Sequence, residues 1–395
     1  MMTYQELKDQ ENQYVMHTYG RFSIALDHGK GAQLWDVEGK RYIDLTSGIG
    51  VCCLGYDNEK IVNAITEQAH KLMHVSNLFT TAPMVQVAKT LVEQTGMGKV
   101  FFANSGAEAN EGMIKLARKY SYDKYGEGRA EIVTLRNSFH GRTVTTLKAT
   151  GQDKFHQYFF PFTEGFAYAE ANNMDSIRAN VNEHTCAVMM ELIQGEGGVM
   201  PLDQSFVQEV AAFCKERDLL LLIDEVQTGI GRTGSLFCFQ QYGIKPDVVS
   251  MAKGLGGGVP IGAVMANTTC DEVLGPGTHA TTFGGTPMCC ASANAVLSEV
   301  TKPEFLQAVQ EKGKYLEDKI MAMGSDKVKG VRGLGLMVGI VVDAEQRAEI
   351  VAEIMDKGVL VLTAGTNVIR LLPPLTISYE EMDEALAVMQ SVLCK

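Results

Sequence analysis

The chain has 395 residues, 46 % of them apolar and 21 % charged, and carries a formal net charge of −12. That length is too great for one minimal core and suits a large domain with a smaller one, while the composition excludes a disordered chain. The acidic balance excludes the broad basic footprint that nucleic-acid binding requires, and leaves room for a local positive pocket.

In chain order, residues 33–45 read as a hairpin: Leu34-Trp35-Asp36-Val37, a turn at Glu38-Gly39-Lys40, then Tyr42-Ile43-Asp44-Leu45. Ile61, Ile65, Ala69 and Leu72 then fall on one helical face. Short apolar runs recur at 99–103, 131–135, 186–190, 219–223, 247–252 and 262–265, with amphipathic stretches such as 107–120 and 206–217 between some of them. Such alternation predicts an α/β fold whose sheet is largely parallel and covered by helices on both faces. From about 286 the pattern changes to long amphipathic helices (288–300, 303–322) and two short strand-like runs (336–342, 368–372). A last helix opens at Ser378, where Ser378 and Glu381 have capping-box spacing. This C-terminal part is expected to form a smaller α+β domain, and no internal repeat is visible at solenoid periods.

Two carboxyl-terminal strand ends carry the chemistry. The run Leu219-Leu220-Leu221-Leu222-Ile223 closes on Asp224, which places that carboxylate where open α/β sheets bind ligands. An Asp in this position also serves as a helix N-cap. The run Val248-Val249-Ser250-Met251-Ala252 closes on Lys253, followed by the glycine-rich Gly254-Leu255-Gly256-Gly257-Gly258. A lysine between a buried run and a loop that lets backbone approach a ligand either has a task or is a solvated strand end. The pair says more than either member. A pyridoxal cofactor needs an amine to hold it as an imine and a carboxylate to keep its ring nitrogen protonated. Such an amine must titrate below the usual lysine range, and burial beside a cationic ring lowers it.

An anion site is expected where Asn104-Ser105-Gly106-Ala107-Glu108 follows the strand run Val100-Phe101-Phe102-Ala103 and opens a helix. Free N–H groups and the helix dipole favour a phosphate there, although a plain N-cap by Ser105 fits the same residues. Two arginines stand out: Arg142 in Ser138-Phe139-His140-Gly141-Arg142-Thr143, and Arg370 inside Val368-Ile369-Arg370-Leu371-Leu372. A guanidinium among aliphatic residues needs a carboxylate, either from a substrate or from a structural ion pair. Gly229-Ile230-Gly231-Arg232-Thr233-Gly234 matches G-x-G-x-x-G. It lies too far past Ile223 and lacks a following helix, so nicotinamide binding is not expected.

The nine cysteines are odd in number, and Cys52-Cys53 and Cys289-Cys290 are adjacent pairs. They suit neither a zinc site nor a disulfide framework, so no metal is expected and the thiols read as small buried hydrophobes in a reducing compartment. Met1 to Gly20 lacks a signal-peptide apolar stretch, and no apolar run approaches about twenty residues, so a cytoplasmic protein with no membrane partner is expected.

Together these segments resemble the class III (omega) aminotransferases of PLP fold type I. The resemblance is carried by Ser105-Gly106-Ala107-Glu108-Ala109-Asn110, Phe139-His140-Gly141-Arg142-Thr143, Gln194-Gly195-Glu196-Gly197-Gly198, Asp224-Glu225-Val226-Gln227, Ala252-Lys253-Gly254, Thr281-Thr282-Phe283-Gly284-Gly285 and Arg370-Leu371-Leu372-Pro373-Pro374. It runs from Tyr19-Gly20-Arg21 to the last helix. It implies an α/β/α sandwich with a mainly parallel sheet over 46–285, and a smaller α+β domain built from 1–45 with 286–395. It also implies pyridoxal 5'-phosphate as cofactor. Lys253 would be the Schiff-base lysine and proton shuttle, and Asp224 the partner of the ring nitrogen. Gln227 would contact the phenolic oxygen, Phe139 would stack on the ring, and His140 would lie in the cofactor site. Ser105, Gly106 and Ala107 would hold the phosphate, joined by Thr282 of a second subunit, which requires a homodimer. Arg142, Arg370 and Tyr19 would bind substrate. Glu196 would mask Arg370 while an omega-amine donor is bound and swing away for the dicarboxylate. The implied reaction moves the omega-amino group of N-acetyl-L-ornithine to 2-oxoglutarate, giving glutamate. Succinylornithine, N-succinyl-diaminopimelate, ornithine and 4-aminobutyrate stay open as donors. Leu192, Thr286, His17 and Tyr56-Asp57-Asn58 depart from the family pattern, and none of them is a catalytic position.

Overall fold

The computed structural model describes residues 2–395. Seven strands form the central sheet: β1 (Lys99–Ala103), β2 (Glu131–Leu135), β3 (Phe166–Ala169), β4 (Thr185–Met190), β5 (Leu220–Asp224), β6 (Val248–Met251) and β7 (Gly262–Ala266). Their spatial order is β1-β7-β6-β5-β4-β2-β3. From β6 to β3 neighbouring strands are parallel. β7 runs against both β6 and β1. The segment 252–261 that joins β6 to β7 is too short for a helical crossover, so the chain reverses instead.

Every residue of β4, β5, β6 and β7 is buried, which is why they read as unbroken apolar runs. The period-two geometry of a strand still sorts their side chains. Leu221 and Ile223 of β5 join one apolar cluster, and Leu220 and Leu222 join another on the opposite face. The helix α1 (Gly106–Tyr125) packs on the second face through Ala109, Met113, Leu116 and Ala117.

The predicted hairpin forms from Gln33–Asp36 and Arg41–Asp44, extended by Leu26–Lys30. Its last strand pairs in parallel with Val359–Leu360, which ties the N-terminal segment to the C-terminal part. The C-terminal sheet has four antiparallel strands, Gly330–Leu334, Met337–Val341, Val368–Leu371 and Leu362–Ala364, where the apolar pattern predicts two. Gly330–Leu334 is only partly buried and glycine-containing, so it has no apolar signature of its own. The helix Ala344–Asp356 between these strands is a further element that the pattern passes over.

The G-x-G-x-x-G segment is a brace. Ile230 sits at φ 57. The buried Arg232 donates to the carbonyls of Leu336 (2.9 Å) and Pro373 (2.6 Å), so it joins β5's exit loop to the C-terminal part. Only the single turn Phe239–Tyr242 follows. Seven cysteines are buried, Cys52 is half-buried and Cys394 is exposed. Among the described residues, no helix is long and apolar enough to cross a membrane.

The capping box at the last helix is complete: Ser378 Oγ accepts from the Glu381 amide (3.1 Å), and Glu381 accepts from the Ser378 amide (2.9 Å). Ser378→Ala should lower unfolding free energy by about 1 kcal/mol in denaturant titration. A loss well under half of that would show that the cap adds nothing.

Candidate active site

Asp224 ends β5 and is 4 % exposed. Three donors fix its carboxylate. Asn110 Nδ2 of α1 donates at 2.7 Å, His140 Nδ1 lies at 2.8 Å, and the Val226 amide donates at 3.0 Å. Asn110 is itself oriented, because it donates to the His140 carbonyl (2.7 Å) and accepts from Ser250 Oγ of β6 (2.6 Å). α1, the loop after β2, β5 and β6 therefore converge on one carboxylate. His140 Nε2 is buried without a hydrogen-bond partner.

Lys253 follows β6, the strand beside β5, and adopts φ 41 in the 3-10 turn Lys253–Gly256. Left-handed backbone is uncommon for a side chain of this size and recurs where a site needs a particular geometry. Burial pushes its amine down to about 8, and the Arg370 charge adds to that effect. Glu196, Asp224 and Glu191 oppose it. An amine in this range is a usable nucleophile and proton carrier near neutral pH.

Ser105 caps α1 by accepting from the Glu108 amide (3.2 Å). The Ala109 amide is taken by the Ser105 carbonyl (3.0 Å). The Gly106 and Ala107 amides belong to the first turn, which has no intrahelical acceptor for them. A Cβ on Gly106 would stand 2.6 Å from Val226 Cγ1, so only glycine lets α1 start this close to the segment after β5.

On the other side, Arg370 Nη1 donates to Glu196 (2.6 Å) and to Gln227 Oε1 (3.1 Å). Burial raises the Glu196 carboxyl, but the adjacent guanidinium outweighs it and leaves the group below the usual range. Arg370 is 2 % exposed, and its Nε is buried without a partner. The Arg142 guanidinium is exposed and lies over the rings of Phe155 (4.2 Å) and Phe139 (5.5 Å).

One cavity of about 510 Å³ is lined by Ser105, Gly106, Ala107, Phe139, His140, Arg142, Glu196, Asp224, Gln227 and Lys253. Arg370 closes its edge through Glu196 and Gln227. Two expected residues stand apart in the single chain. Tyr19 is 73 % exposed, with Arg21 over its ring. Thr282 is exposed and borders a small cleft with His74 and Asn77.

The sequence reading gives no role to Glu191, Asn110 or Ser250, although Asn110 and Ser250 lie inside segments that it quotes. Glu191 accepts from the Phe139 amide (2.8 Å) and the Gly195 amide (3.4 Å). Burial, reinforced by Asp224, raises its carboxyl well above the usual range. Its signal was present: the apolar run 186–190 ends in a carboxylate just as β5 does.

A fold of this topology with an amine and a carboxylate at the ends of adjacent strands defines a class of enzyme. The family model of class-III aminotransferases matches residues 14–393, and the chain belongs to that family of pyridoxal-phosphate enzymes. Among curated relatives it is 48 % identical to the acetylornithine aminotransferase of Haemophilus ducreyi over 99 % of both chains. It is likewise 48 % identical to that of Caldanaerobacter subterraneus over 97 % of this chain and 98 % of the relative. Among solved structures, the ornithine aminotransferase of Toxoplasma gondii superposes with a TM-score of 0.95 at 29 % identity, covering 100 % of this chain and 95 % of that one. N-acetylornithine aminotransferase of Stenotrophomonas maltophilia does so at 0.84 and 36 % identity, over 97 % of each chain.

Because burial depresses the Lys253 amine, the folded state binds its proton less tightly than the unfolded chain does. Lys253 therefore weakens the cofactor-free fold below about 8, and the penalty fades as pH rises toward the ordinary lysine range. Cofactor-free Lys253→Met should melt above the parent at neutral pH, with the gap closing between about 8 and 10.5. A gap that is constant with pH would contradict this.

Proposed function

We propose that the chain transfers the omega-amino group of N-acetyl-L-ornithine to 2-oxoglutarate, releasing N-acetyl-L-glutamate 5-semialdehyde and glutamate in the cytoplasm, as a step of arginine biosynthesis. The observation that carries the reading is the buried Arg370 covered by Glu196. The same pocket must take a donor with no carboxylate beside its reacting amine, then an acceptor with one. A carboxylate that neutralises the arginine in the first case and leaves in the second does both. The donor follows from the curated relatives, which bear the acetylornithine name at 48 % identity. The higher superposition with an ornithine aminotransferase comes at only 29 % identity and reflects the shared fold.

The residues fit pyridoxal phosphate. The open amides of Gly106 and Ala107, with the Ser105 cap, suit its phosphate. The Asp224 carboxylate suits a protonated ring nitrogen, and Phe139 and Val226 give the cavity apolar walls. When bound, the cofactor supplies an electron sink that lets a proton leave the amine-bearing carbon. Lys253 Nζ would hold the cofactor at its aldehyde carbon and, when free of it, would carry the proton being moved. Asp224, kept in place by Asn110 and His140, would face the ring nitrogen. Gln227, whose Oε1 accepts from Arg370, would contact the phenolic oxygen. Arg142 and Arg370 bind the substrate carboxylates.

Thr282 would complete the phosphate site from a second copy in a homodimer, and Tyr19 would bind substrate. The exposure of Thr282, Phe283, Leu78 and Phe79 supports an interface there. The strand pairing of 41–44 with 359–360 supports a small domain formed by 1–45 with 286–395 beside a large domain over 46–285.

Single-turnover mixing of holoenzyme with separate donors tests the reading. N-acetylornithine should react at least about tenfold faster than ornithine or 4-aminobutyrate, and Lys253→Ala should lose turnover by several orders of magnitude while staying folded. Preference for another omega-amine would overturn the donor assignment alone. Near-normal turnover by Lys253→Ala would overturn the mechanism.

Arg370→Ala should raise KM for glutamate and 2-oxoglutarate by about 10- to 150-fold, since a charged contact of this kind is worth about 1.5–3 kcal/mol. An unchanged KM would remove Arg370 from substrate binding.

A further inference from the structure

The loop that carries Glu196 is held by the C-terminal sheet at three adjacent points. In that sheet Arg332 is paired with Gly339, and Gly339 with Arg370. Directly opposed residues project on the same face, so these three form one cross-strand row. Arg370 at one end holds the Glu196 carboxylate. Arg332 at the other end donates from both Nε (2.9 Å) and Nη2 (2.7 Å) to the carbonyl of Gly198. Between them, a Cβ on Gly339 would lie 2.8 Å from Val199 Cβ, so the glycine makes the slot into which Val199 packs. The Gly365 amide, from the same part of the chain, donates to the Glu196 carbonyl (2.9 Å).

The loop itself is tight. The Val199 amide donates to the Gly195 carbonyl (3.2 Å). Val199 is fully buried at φ 52, a conformation that a β-branched residue keeps only where its surroundings impose it. Arg332 makes no ion pair among the described residues. Burial lowers its guanidinium, and no carboxylate offsets that effect. A permanent cation that directs Nε and Nη2 to one neutral carbonyl, and has no acid partner, is placed for that carbonyl.

We propose that Arg332 is a positioning residue for the Glu196 mask. It fixes the backbone of 196–199, so that uncovering Arg370 needs only rotation of the Glu196 side chain, and it thereby sets the preference between omega-amine donors and glutamate. This inference rests on the reading of Glu196 as a movable mask. Without the clamp, Glu196 covers Arg370 less often, and an amine donor that lacks an adjacent carboxylate meets an unneutralised guanidinium.

The test compares the holoenzyme with Arg332→Met, which keeps the aliphatic stem, and Arg332→Lys, which restores one donor. Two quantities are read: amide hydrogen exchange of the peptide spanning 195–200, and single-turnover kcat/KM for N-acetylornithine and for glutamate. Arg332→Met should exchange about tenfold faster at 195–200 and lose about tenfold with N-acetylornithine, while glutamate stays within about threefold. Arg332→Lys should recover part of the ratio. Unchanged exchange at 195–200, an unchanged ratio, or equal loss in both half-reactions with faster exchange across the whole C-terminal sheet would each overturn the inference. Glu196→Ala separates the two layers. If its ratio matches the parent, the mask reading has failed. If its ratio shifts and that of Arg332→Met does not, the Arg332 inference alone has failed.

Discussion

The structure is organised around one buried carboxylate that must not move. Asp224 closes the central strand of the sheet, and each group that touches it belongs to a different element: Asn110 to the first helix after β1, His140 to the loop after β2, and Val226 to its own exit turn. A negative group at 4 % exposure is tolerated only with such a set of donors, and those donors fix where the elements sit. The glycine at 106 follows from the same constraint, since α1 must begin in contact with Val226 to bring Asn110 within reach.

The second organising quantity is the distribution of charge around the cavity. Three carboxylates, Glu191, Asp224 and Glu196, surround one amine and one buried guanidinium. Burial works against the charges of Glu191, Glu196 and Lys253, and each answers it differently. Glu196 is held down by Arg370, Glu191 is pushed up, and the Lys253 amine falls to about 8. The site thus sets opposite charges against one another across the cavity. Glu191 links two parts of it, bonding the amide of Phe139 on one side and that of Gly195, at the root of the Glu196 loop, on the other.

Much of this was legible in the residues because buried parallel strands leave a plain signature, a short apolar run ending in a functional group. That rule located Asp224 and Lys253 and would have located Glu191. The capping patterns at Ser105 and Ser378 likewise named true helix starts. The hidden parts lack such a signature. Asn110 and Ser250 are ordinary polar residues whose importance lies in contacts across 140 positions of sequence. Arg332 lies on a strand of intermediate burial, and only the strand register aligns it with Arg370. The reversal of β7 was not visible because an apolar run carries no sign of strand direction. Thr282 and Tyr19 are exposed in the single chain, so no packing contact within it marks either of them.

The central claim is that Asp224 is fixed in order to hold a cationic ring nitrogen. The direct measurement is the 15N chemical shift of ring-labelled pyridoxal phosphate bound to the protein at about pH 8, well above the range in which exposed carboxyls titrate. A protonated nitrogen in the parent, and an unprotonated one in Asp224→Asn, is the predicted result. An unprotonated nitrogen in the parent would contradict the account.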